Sequence, residues 1–199
     1  PDTPPSFGFT AFIKPNCDGS SRGINSCSRV DDFESLHRQT EYLLSHYDSQ
    51  VIAEPYLDGR DYCVALIGNN PPRMLTTCEV LLGHVDDIPF FSWEYKQCDT
   101  DRLDMSPAID RNVILEMEEM SRIAWNVLGL RDYARIDFRT DDGGVPHMLE
   151  INALPGLSPV SGIFIQQAKA AGMAFDEIID TIFSRARSAA NENRKTGTF

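Results

Sequence analysis

The 199-residue sequence has no apolar run near the roughly 18 residues that span a bilayer, so no membrane association is expected. It has no CxxC spacing, and its five cysteines (Cys17, Cys27, Cys63, Cys78, Cys98) are odd in number. A disulfide framework and a zinc site are therefore disfavoured, and a reducing cytoplasmic setting is expected. Positive charge is scarce: 18 Lys and Arg stand against 30 Asp and Glu, a formal net charge of -12. A nucleic-acid partner, which needs clustered basic side chains, is not expected. The deficit does not exclude a single nucleotide, because magnesium can carry positive charge to its phosphates. None of the four histidines stands in a catalytic motif, and there is no internal repeat or low-complexity tract.

What remains is an ordinary globular composition, 42% hydrophobic and 24% charged, of a length that suits one domain or two small ones. The chain opens on Pro1, and residues 1–8 (PDTPPSFG) read as a linker, so a piece of a longer protein is expected. Residues 9–14 and 24–30 read as strands around a loop rich in Gly, Ser and Asn. Asp31 or Asp32 then caps a helix to about His46, with Phe33, Leu36, Leu43 and Leu44 on its apolar side. Residues 50–54 and 62–67 are strands around an Asp58-Gly59 turn, and residues 74–82 form another. Residues 83–107 are a long loop of the kind that often serves function. The clearest helix is residues 110–128, with Val113, Met117, Met120, Ala124 and Val127 as its stripe and Gly129 at its end. Two strands, 133–139 and 147–151, flank the turn Asp141-Asp142-Gly143-Gly144 as a hairpin. Helices over 160–171 and 175–190 follow, then a disordered tail over 191–199. The pattern is α+β.

The hairpin carries the chemistry. Side chains alternate along a strand, so Arg135 and Asp137 share one face, as do Glu150 and Asn152. If the hairpin closes at its glycine turn, two carboxylates, an amide oxygen and a guanidinium converge. Hard cations such as magnesium take this oxygen set, completed by phosphate and water. By spacing alone, a surface hairpin with a salt bridge accounts for the same residues about as well. Pro155-Gly156 then makes a sharp turn before a helix start, a place where backbone N–H groups bind anions.

The run Arg135-Ile136-Asp137-Phe138, then Glu150-Ile151-Asn152-Ala153-Leu154-Pro155-Gly156 and Ser161, closely resembles the D-alanine–D-alanine ligase family of the ATP-grasp superfamily. The resemblance extends back through most of the chain, to Lys14-Pro15, Gly19-Ser20-Ser21, Glu54-Pro55-Tyr56-Leu57, Phe90 to Lys96 and Ser106-Pro107-Ala108. It implies an ATP-grasp fold with two lobes of antiparallel sheet and packed helices. Residues 9–82 would form part of the central nucleotide-binding lobe, and residues 83–190 the catalytic lobe with its loop over 83–107. It also implies ATP with magnesium or manganese, and acyl-phosphate activation of a carboxylate for attack by an amine. Lys14 and Lys96 would hold phosphates beneath a loop containing Ser20 and Ser21. Glu54, Pro55, Tyr56 and Leu57 would read adenine, with Phe90 and Leu149 beside it and Asp61 on the ribose. Asp137, Glu150 and Asn152 would hold the metal, Arg135 and the Gly156 N–H the oxyanion, and Ser161 the incoming amino acid's carboxylate. The substrates would be small amino acids, and a homodimer stays open for the full-length protein.

Three departures bear on the substrate. The family's amino-terminal substrate domain is not in this sequence. Gln97 stands where the family has a tyrosine that helps close the loop over Ser20, and Arg139 stands where it has an apolar residue. A ligase for another amino acid or carboxylate, or an inactive nucleotide-binding fragment, therefore remains open.

Overall fold

The computed structural model describes residues 3–69, 71–81, 90 and 102–196. It has two compact units, residues 1–58 with 82–102, and residues 59–81 with 103–199.

In the first unit, strands β1 (Ala11–Pro15), β2 (Arg29–Val30) and β3 (Val51–Pro55) form an antiparallel sheet in the order β2-β1-β3. Helix α1 (Phe33–His46) starts where it does because Asp32 and Ser35 form a reciprocal capping box. Leu36 and Leu43 of α1 pack with Ala11, Ile13 and Val30 of the sheet. Phe33 and Leu44, expected on the same apolar side, are exposed.

In the second unit the strands are β4 (Asp61–Ile67), β5 (Arg73–Met74), β6 (Cys78–Leu81), β7 (Arg102–Asp104), β8 (Tyr133–Thr140) and β9 (Pro146–Asn152). Their order is β7-β6-β4-β8-β9, with β5 also on β4. The expected hairpin between residues 50–54 and 62–67 does not form: β3 pairs with β1, and β4 pairs with β6 and β8 in the other sheet. Residues 59–81, expected in the first lobe, therefore fall in the second unit. The cause lies in β4 itself, whose residues from Tyr62 to Ile67 are all buried, as a central strand covered on both faces must be. The single strand expected over 74–82 is broken into β5 and β6. Gln167 fills the break, donating from Nε2 to the carbonyls of Thr76 and Cys63, each at 2.8 Å.

Alternation along β4 sorts the core. Tyr62, Val64 and Leu66 join Ile136, Phe138 and the helix α2 (Arg111–Val127) through Met117 and Trp125. Ala65 and Ile67 face the other way, against Phe164, Ile165 and Ala168 of α3 (Ile163–Ala170) and Ile178 of α4 (Phe175–Thr196). Val127, expected in the α2 stripe, is 78% exposed; Ser121 and Trp125, four residues apart, continue the buried seam from Met117. Gly129, at φ +62°, ends the helix as expected, and the Leu130 N–H returns to the Trp125 carbonyl. The tail expected to be disordered is helical as far as Thr196. Most of the 83–107 loop lies outside the described residues, and β7 occupies part of the remainder.

Candidate active site

The hairpin closes in the register Arg135 opposite Asn152 and Asp137 opposite Glu150. Directly opposed residues of an antiparallel pair project to the same side, so all four side chains meet. Arg135 donates to Asp137 through two parallel bonds, Nε to Oδ1 at 2.7 Å and Nη2 to Oδ2 at 2.8 Å. Asn152 donates from Nδ2 to Asp137 Oδ2 at 2.9 Å and to Glu150 Oε1 at 3.1 Å. Burial works against the charge of Arg135, but the bonds and charge of Asp137 outweigh it and push its pKa further up. The guanidinium is therefore a permanent cation on this face. A bulge follows at once: Phe138 pairs with Met148, so Leu149 is the extra residue on β9 and stands exposed.

The donor set fits a hard cation. Asn152 donates its amide N–H groups to both carboxylates, and rotation of the amide would offer its oxygen to a cation instead. Among the described residues no group of three or more His, Cys, Asp or Glu could hold a metal. Two carboxylates and one amide are a donor set suited to an ion that takes further ligands from phosphate and water.

After β9 the chain turns through the buried Pro155, and Gly156 and Ser161 are exposed on the loop to α3. The Ser161 N–H and hydroxyl both donate to Ser158 Oγ, at 3.2 and 3.0 Å. Nothing in the sequence distinguished Ser158 from an ordinary turn serine. Helix α3 starts at Ile163 rather than near Val160, and its Gly162 N-cap provides no side-chain cap. A Cβ at Gly162 would lie 2.7 Å from the Ser158 carbonyl and 2.8 Å from that of Gly156. Gly162→Ala should displace this loop at a cost of about 1–3 kcal/mol, the usual range for overpacking. A denaturant midpoint equal to that of the wild type would contradict this.

In the first unit, Lys14 Nζ pairs with Glu54 Oε2 at 2.6 Å, so two expected nucleotide residues are brought together. Ser20 and Ser21 both adopt positive φ, 60° and 57°. Consecutive left-handed non-glycine residues are strained, and such strain clusters at ligand-binding loops. Pro55 ends β3, and the Tyr56 N–H donates to the Thr10 carbonyl at 3.1 Å. Phe90 is buried, with its ring edge-on to Phe12 at 4.9 Å and Tyr56 at 6.4 Å. Leu57 follows in the segment after β3. Lys96 and Gln97 lie outside the described residues.

Asp61 is held by Arg139, Nη1 to Oδ2 at 2.8 Å, and the two side chains are 13% and 7% exposed. The sequence marked Arg139 as out of pattern but gave no partner for it, because the pairing of β4 with β8 joins residues 78 apart. Burial pushes the Asp61 carboxyl up to about 6, against the opposing pull of Arg139. The folded state thus keeps this proton to higher pH than the unfolded chain, and stability falls as pH rises. Measured against Asp61→Asn by denaturant unfolding, the wild type should lose about 2 kcal/mol between pH 4 and 7. A flat difference would count against it.

The same architecture occurs in solved ligases. A D-alanine–D-alanine ligase from Bacillus anthracis, crystallised with ATP, superposes with a TM-score of 0.73 at 22% identity, over 94% of this chain and 55% of that one. The VanG D-Ala:D-Ser ligase from Enterococcus faecalis gives 0.73 at 21% identity, over 90% and 50%. A D-alanine–D-alanine ligase from Flavobacterium psychrophilum is 32% identical over 184 residues, covering 92% of this chain and 53% of that protein. The fold is therefore ATP-grasp, α+β with antiparallel sheets. The family described as D-ala D-ala ligase C-terminus matches residues 3–184, and the chain belongs to it. The chain spans about half the length of the curated relatives it matches. Among the described residues no helix is long and apolar enough to cross a membrane.

Proposed function

We propose that the full-length protein is an ATP-dependent carboxylate–amine ligase, with D-alanine as both carboxylate and amine donor. The convergence of Arg135, Asp137, Glu150 and Asn152 on one sheet face carries this reading. Asp137, Glu150 and Asn152 would hold magnesium or manganese, which neutralises phosphate charge when bound. Lys14, and Lys96 in the loop, would add point charges to the phosphates, and the strained Ser20-Ser21 segment would offer backbone N–H groups. Glu54, Pro55, Tyr56 and Leu57 would read adenine, flanked by Phe90 and Leu149.

In the first step a carboxylate oxygen attacks the γ-phosphorus, ADP leaves, and an acyl phosphate forms. In the second the amine nitrogen attacks the acyl carbon, phosphate leaves, and nitrogen gives up a proton. Arg135 and the Gly156 N–H stabilise the oxyanion between attack and departure, and Ser161 binds the amino acid's carboxylate. The protein's work is positioning and fixed charge. Chemistry that consumes ATP, together with free thiols at Cys17, Cys27, Cys63 and Cys78, supports a cytoplasmic setting.

A second amino-acid pair is the alternative, favoured by Gln97 at a position where the family carries tyrosine. Phosphate release with ATP and D-alanine, D-serine or a panel of L-amino acids decides between them. D-alanine should stimulate release in the full-length protein, and stimulation by L-amino acids alone would overturn the reading. The same assay on residues 1–199 by themselves shows whether this piece acts alone.

A further inference from the structure

Arg139 stands two residues beyond Asp137 on β8, on the same face, and directly opposite Asp61 of β4. The ion pair between them is largely buried. Such a pair is poor evidence of a stabilising role, because desolvating two charges offsets most of their attraction. Among the described residues, Oδ2 of Asp61 accepts from Arg139 and Oδ1 accepts no hydrogen bond. A carboxylate held by one oxygen suits a ligand hydroxyl at the other.

We propose that Arg139 is a positioning residue for the nucleotide's sugar: it clamps Asp61 through Oδ2 and presents Oδ1 to a ribose hydroxyl. This rests on the ATP-dependent reading above, in which Asp61 faces the ribose. The part of Arg139 comes from the structure alone. Aspartate is short, and a fixed guanidinium holds its carboxylate in one orientation. It also balances a negative charge that would otherwise add to those of Asp137 and Glu79. A sugar hydroxyl bound to such a carboxylate makes a charge-assisted bond, so its removal should weaken binding about tenfold or more.

The test is calorimetric titration of the full-length protein, with magnesium, by ATP, 2′-deoxy-ATP and 3′-deoxy-ATP, alongside kcat and KM for each. The wild type should bind at least one deoxy analogue about tenfold more weakly than ATP. Arg139→Met should raise KM for ATP more than it lowers kcat and bring the three nucleotides to similar affinity. Arg139→Lys should recover part of the preference. Asp61→Asn should remove it and serves as a second variant should Arg139→Met fail to fold. Retention of the full preference by a folded Arg139→Met or Asp61→Asn protein overturns the proposal. So does a wild type that binds ATP and both analogues equally, although it leaves the ligase reading standing. A wild type that binds no ATP overturns both.

Discussion

Arg135→Ala in the full-length protein should lower kcat by about 100- to 1,000-fold, the usual loss when one oxyanion donor is removed. The guanidinium donates twice to Asp137 and is largely buried, so its position is set before any substrate arrives. Alanine removes both the proposed transition-state donor and one of the two side chains that donate to Asp137. A lysine at 135 keeps the charge but not the planar fork and should restore only a small part of the rate. The decisive measurement is single-turnover amide formation, with a denaturant midpoint for each variant to separate chemistry from folding. A folded alanine variant with near-normal kcat would end the proposed role of Arg135.

Gly59→Ala should be the most disruptive small change to the fold. Gly59 packs against the end of β8, where its N–H donates to the Thr140 carbonyl at 3.0 Å. Arg60 and Thr140 continue the ladder, with a further bond from the Arg60 N–H to Thr140 Oγ1 at 3.0 Å. A Cβ would lie 2.1 Å from that Oγ1 and 2.4 Å from the carbonyl oxygen. A hydroxyl can rotate, but the carbonyl belongs to the strand. The end of β8 must shift, at a cost of about 3 kcal/mol, the upper end of ordinary overpacking penalties. A denaturant midpoint within error of the wild type would refute this.

Much of the site was legible because it is local. The two-residue period of a strand determines that Arg135 joins Asp137 and that Glu150 joins Asn152, and a glycine turn brings the pairs together. The start of α1 was legible to within one residue for the same reason, since Asp32 accepts from the Ser35 backbone N–H three residues on. The placement of β4 was not legible. Its run Tyr62-Cys63-Val64-Ala65-Leu66-Ile67 reads equally as the partner of β3 and as the centre of another sheet. Arg139 was out of pattern, and its partner Asp61 lies 78 residues away in the sequence. The bulge at Leu149 was hidden because alternation alone does not show where one strand carries an extra residue.

The sequence by itself therefore determined which side chains share a face along each strand, and the family, since these depend on residue type and short spacing. Tertiary structure alone decided that β4 lies beside β8, which sets Asp61 against Arg139 and Cys63 in the row of Asp137 and Glu150. Pairing between distant strands follows from burying whole faces together, an energy summed over many residues that no short stretch of sequence contains.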